Sequence, residues 1–109
     1  MQMKNFPFEI TDWDNIESEE HRGETGTARW KTRTFGDVRV RMVEYSPGYS
    51  ADHWCTKGHV VLCLEGEMRT EGKDGKHQVL RPGMTYQVAD DDLPHRSSTE
   101  TGVKLFIVD

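Results

Sequence analysis

Val38, Val40 and Met42 alternate with Arg39, Arg41 and Val43. This is the period-two pattern of a half-buried β-strand, and it reads Arg39 and Arg41 as an exposed strand face. Similar short runs recur at Ala28 to Phe35, His59 to Leu64, Met68 to Glu71, Gln78 to Leu80, Met84 to Val88, His95 to Ser98 and Val103 to Val108. Turn signals separate them: Gly36-Asp37, Pro47-Gly48, Glu65-Gly66, Lys73-Asp74-Gly75 and Arg81-Pro82-Gly83. Glycine and proline supply the backbone angles that such turns need. About eight short strands spaced roughly ten residues apart predict an all-β sandwich or barrel, not a parallel α/β sheet. Before Thr25 the chain is acidic and lightly patterned. There Asp12 to Ile16 predicts a single helical turn with Asp12 as its cap. Val60, Leu62 and Leu64 share one face of their strand and call for cover, from N-terminal strands or a second copy.

Composition narrows the class. The 109 residues suit one domain, 1–109. Thirty per cent of them are charged and 34% hydrophobic, polar for a globular chain yet too patterned for disorder. The net charge of -5, with no basic stripe, argues against a nucleic-acid partner. The longest apolar run, Val60 to Leu64, is too short to span a bilayer, and Met1 to Asn5 has no apolar signal core. A cytoplasmic location is the expectation. In a reducing compartment Cys55 and Cys63 are expected to be free or metal-bound.

Chemistry concentrates in Asp52-His53-Trp54-Cys55-Thr56-Lys57-Gly58-His59. His53 and Cys55 are two apart, so on a strand both side chains leave the same face. Lys57-Gly58 turns the chain and His59 starts the next strand, facing back. His95, after Pro94, is the natural fourth ligand. Imidazole and thiolate favour one divalent transition metal, zinc first, with nickel or iron as alternatives. The remaining polar groups have plainer readings. Cys63 reads as a core thiol, His21 and His77 as solvated residues, and Trp13, Trp30 and Trp54 as packing aromatics, with Trp54 outside the pocket. Asp90, Asp91 and Asp92 read as a solvated loop near the pocket mouth, and Tyr86 as a packing residue that can also line the interior.

The spacing resembles the cupin superfamily. Gly48 precedes His53, one residue separates His53 from Cys55, three separate Cys55 from His59, and six separate His59 from Gly66. The second cupin motif is matched by Pro82-Gly83, the run Met84 to Val88, and Pro94-His95. Cys55 stands where the family has its second histidine, and His59 where it has a glutamate. A group of small cupins labelled by an Asp-His-Cys-Trp motif is similar, although the order here is Asp52-His53-Trp54-Cys55. The resemblance implies a cupin-type jelly-roll β-barrel (a double-stranded β-helix). It also implies a metal held inside by His53, Cys55, His59 and His95, a small polar molecule as partner, and a homodimer. It names no substrate. An enzyme, a binding module with a structural metal and a metal-free barrel all remain compatible with it.

Overall fold

The computed structural model describes residues 2–109. One turn of 3-10 helix, Trp13–Asn15, opens the ordered elements, and the Asp12 carboxylate caps it by accepting from the Asp14 N–H at 3.2 Å. The strands follow as β1 (Glu19–Arg22), β2 (Thr27–Phe35), β3 (Val38–Tyr45), β4 (His59–Gly66), β5 (Met68–Gly72), β6 (His77–Leu80), β7 (Thr85–Val88), β8 (His95–Ser98) and β9 (Val103–Val108). They pair antiparallel in two sheets, one ordered β1-β2-β3-β9-β4-β7 and the other β6-β5-β8. Together the sheets form a jelly-roll barrel. The punctuation of the sequence marks β2 to β9 to within two residues. It misses β1, an edge strand with three of its four residues exposed. Such a strand has no buried alternation to reveal it. Only His21 turns inward, against Trp30 at 4.0 Å between ring centroids.

Inward-facing positions of both sheets close one core. Val43, Val61, Cys63, Val103, Leu105 and Ile107 come from the larger sheet, and Met68 and Leu80 from the smaller. Cross-strand register stacks them: Val43 lies opposite Leu105, and Leu105 opposite Cys63. Burial pushes the Cys63 thiol up from its ordinary range, which keeps it an inert core group. Gly66 is required where two turns cross, because a Cβ there would stand 2.1 Å from the Gly102 carbonyl oxygen.

The inner face changes character along the barrel. On β9 the inward series Val103, Leu105, Ile107 continues to Asp109, whose side chain is fully buried. On β4 the series Cys63, Val61 ends in His59, and on β3 the side that carries Val43 continues to Arg41 and Arg39. One end of the barrel is therefore apolar and the other polar. This corrects the expectation that Arg39 and Arg41 face solvent, because Arg41 is only 5% exposed. An arginine can occupy an interior position when a carboxylate shares it, and Asp109, 68 residues away in the chain, supplies that partner.

Candidate metal centre

The polar end encloses a cavity of about 200 Å³, floored by Val61, Met68, Leu105 and Ile107. Cys55, His59 and His95 meet in its wall. One ligand-capable atom from each lies within 4.8 Å of the others.

Cys55 arrives on a segment that lies beside β8. Ser50 bridges Ser98, and Cys55 bridges His95 through Cys55 N–H to the His95 carbonyl at 2.7 Å and His95 N–H to the Cys55 carbonyl at 3.0 Å. Between the two bridges this segment advances five residues while β8 advances three. The surplus is thrown out as a bend at Asp52-His53, as in a β-bulge. The expected strand through His53 and Cys55 is therefore absent, and the rule that residues two apart share a face does not apply. Cys55 turns toward the cavity wall. His53 stays at the rim with its side chain 77% exposed and Nδ1 2.6 Å from Asp52 Oδ1. The structure thus brings three of the four sequence-derived candidates together and leaves His53 lining the same cavity from outside.

The turn from Cys55 to His59 is held by the acidic loop. Asp90 Oδ1 accepts from the Gly58 N–H at 2.7 Å, and the Thr56 carbonyl accepts from the Asp91 N–H at 2.8 Å. Gly58 is needed for this approach, since a Cβ would lie 2.5 Å from the Asp90 nitrogen. Trp54 faces away from the cavity and carries Arg96 over its ring at 4.4 Å.

The two imidazoles are oriented for ligation. His95 Nδ1 lies 2.8 Å from the Leu93 carbonyl, so that nitrogen carries the proton and Nε2 is free to accept. Burial lowers the His95 pKa and favours the neutral, ligating form. His59 Nε2 stands 2.9 Å from His95 Nε2 and 3.2 Å from the Tyr86 hydroxyl. Tyr86 is a half-buried phenol whose pKa is pushed up to about 12 by its desolvation. His59 Nδ1 faces Asp109 Oδ2 at 3.5 Å, too long for a well-formed hydrogen bond, and is otherwise buried without a partner. Both rings thus turn Nδ1 to an oxygen and Nε2 to a common point. A carbonyl or carboxylate behind each ligating histidine is the usual support of a metal site. Tetrahedral zinc with nitrogen ligands at about 2.0–2.1 Å would set two such nitrogens roughly 3.4 Å apart. The donor set fits a transition metal after a small spreading of the histidines and an inward shift of the thiol.

Asp109 is the residue of this polar end that the sequence reading missed. It accepts from Arg39 Nε at 2.9 Å, Arg39 Nη2 at 3.1 Å and Arg41 Nη2 at 3.0 Å. Burial alone would raise its pKa, but contact with His59 and the two arginines outweighs burial and holds the carboxyl below its usual range. The signal was present as the inward parity of Val103, Leu105 and Ile107 carried one step further.

Comparison with protein-family models and with curated proteins finds no match. Solved structures do match. A sugar phosphate isomerase from a cupin superfamily of Silicibacter pomeroyi superposes with a TM-score of 0.72 at 16% identity, covering 92% of this chain and 74% of its own. A cupin-like protein of Thermotoga maritima gives 0.65 at 16% identity over 81% and 76%. The iron(II) form of HppE gives 0.74 at 16% identity over 91% of this chain and 58% of its own. Identities this low speak for architecture, and the architecture agrees with the motif spacing: the chain has the cupin fold.

Proposed function

We propose that the protein binds one divalent transition metal through Cys55, His59 and His95, with His53 as a movable fourth ligand that turns in from the rim. The observation that carries this reading is the convergence of the two Nε2 atoms with both Nδ1 atoms turned to oxygen. Zinc is the favoured metal because the set mixes imidazole with thiolate, and iron and nickel follow. The iron named with HppE supports a metal in a barrel of this kind. The cavity beside the metal takes a small polar molecule. Held by Cys55, His59 and His95 with the fourth position open to water, the metal would supply Lewis-acid chemistry toward that molecule. If His53 closes a tetrahedron permanently, the metal is structural and the protein is a binding module.

The wider setting belongs to the same reading. Among the described residues no helix is long and apolar enough to cross a membrane. Both cysteines are free thiols, which a thiolate ligand requires, and this supports the cytoplasm as the compartment. The outer face of the larger sheet supports a homodimer. Elemental analysis of the purified protein tests the proposal directly. Stoichiometric metal in the wild type, and much less in Cys55→Ser, is expected. A fully loaded Cys55→Ser protein would remove sulfur from the ligand set, and a metal-free wild type that takes up neither zinc, iron nor nickel would remove the metal.

A further inference from the structure

We infer that Arg39 and Arg41 form an anion subsite in this cavity and that the molecule it accepts is a small carboxylate. The inference deepens the small-molecule reading above but does not depend on the metal. Two guanidinium side chains, Arg39 and Arg41, line the cavity against a single acidic side chain, Asp109, while Arg96, whose backbone borders it, turns outward onto Trp54 and Glu71. The protein as a whole carries a net charge of -5, so this excess is local and opposite in sign to the exterior. Such a focus of charge draws in a small anion, not a polyanion.

The arginines themselves are incompletely partnered. Asp109 takes two hydrogen bonds from Arg39 and one from Arg41. The Arg41 side chain is only 7% exposed, yet its Nε is buried with no partner at all. One carboxylate between two guanidinium groups leaves one positive charge uncompensated in a desolvated place. A buried charge and a buried donor of this kind call for a partner. The Trp30 ring lies under the Arg41 guanidinium at 4.5 Å and near that of Arg39 at 5.8 Å. Stacking fixes the plane of Arg41 and leaves its edge for a ligand in that plane. The edge of a guanidinium matches a planar carboxylate through two parallel hydrogen bonds, and Asp109 already docks on Arg39 in that manner. A cavity of about 200 Å³ is smaller than the pockets that hold drug-sized ligands, which restricts the guest to a few heavy atoms. With a divalent metal and a Cys55 thiolate in place the cavity would gain a further positive charge, and a dicarboxylate would offset both that charge and the one left on the arginines.

The test uses chelator-treated protein titrated with malonate, inorganic phosphate and glycerol, followed by calorimetry and by the indole N–H resonances. Malonate is expected to bind, to shift the Trp30 signal, and to lose roughly tenfold or more in affinity in Arg41→Gln and in Arg39→Gln. Arg39 is one-third exposed in its side chain, so its variant gives a decision even where Arg41→Gln fails to fold. Arg39→Gln should retain zinc uptake, and His95→Ala should lose zinc while keeping malonate. Loss of zinc binding in the wild type therefore defeats the metal proposal and leaves this one standing. Glycerol binding as tightly as malonate, malonate affinity unchanged in a folded arginine variant, or phosphate binding without malonate would each overturn the carboxylate assignment.

Discussion

His59 and His95 hold their Nε2 atoms 2.9 Å apart, one on β4 of the larger sheet and the other on β8 of the smaller. The pair ties the two sheets at the open end of the barrel, where the apolar core has ended. A proton shared between the two nitrogens can hold them together, and so can a metal. Zinc binding should therefore stabilise the fold as well as occupy the site. At zinc a hundredfold above its dissociation constant the gain is about 2.7 kcal/mol, which for a domain of this size raises Tm by roughly 10 °C or more. In His95→Ala the zinc-dependent rise should vanish. Scanning calorimetry with and without zinc measures both, and a rise that survives His95→Ala would place the ion elsewhere.

His53 differs from the other three candidates because its imidazole is turned to Asp52 at the rim. As a fourth ligand it must rotate on loading, and the cobalt(II) form reports that step. The wild type should give the intense visible bands of four-coordinate cobalt together with a near-ultraviolet thiolate band. Cys55→Ser should lose the thiolate band. His53→Ala should keep that band, change the visible bands, and bind cobalt roughly tenfold more weakly. Identical spectra and affinity for His53→Ala and wild type would leave three protein ligands and an open position.

The barrel was readable because its strands are short, alternating and punctuated by glycine and proline. The geometry of the candidate site was only partly readable, for a reason that the bend at Asp52-His53 makes plain. Spacing predicts facing only while a segment keeps strict strand period, and two surplus residues opposite β8 break it. Arg39 and Arg41 misled for a different reason. Polarity marks the solvent face of a strand unless an interior partner exists, and that partner, Asp109, lies far away in sequence on β9's extension. His59 and His95 still converge because the registers of β4 and β8 follow from marked turns, and Cys55 joins them through its bridge to His95.

Asp109 holds three guanidinium hydrogen bonds in a fully buried position, so its removal tests the polar end of the barrel. Asp109→Asn leaves Arg39 and Arg41 facing each other without a counter-charge. Breaking a buried ion pair from one side costs roughly 3–5 kcal/mol, and the exposure of Arg39 puts this case near the lower end. Urea denaturation should show a lower midpoint with an unchanged slope. The variant should also bind zinc more weakly, because His59 Nδ1 loses the carboxylate that faces it. A midpoint within the error of wild type would mean that the arginines find other partners.

The N-terminal arm stacks Phe6 on Phe35 at 5.1 Å but presents two other apolar residues the wrong way for a lone copy. Glu9 and Thr11 turn toward β2 and bond Arg33, while Phe8 and Ile10 point away, 109% and 92% exposed. The outer face of the larger sheet has a matching need. Met42 pairs with Phe106 and Phe106 with Leu62, and Val40 pairs with Val108 and Val108 with Val60, forming a continuous apolar strip that leaves Val60 45% exposed. Two such surfaces on one chain can cover each other across a twofold axis, the self-complementary arrangement of most small oligomers. Sedimentation should therefore find a dimer. Leu62→Lys, and separately Phe8→Ser with Ile10→Ser, should each yield a folded monomer that still takes up zinc, since neither site borders the cavity. A wild-type monomer at high micromolar concentration would defeat the proposal, as would a dimer indifferent to both sets of substitutions.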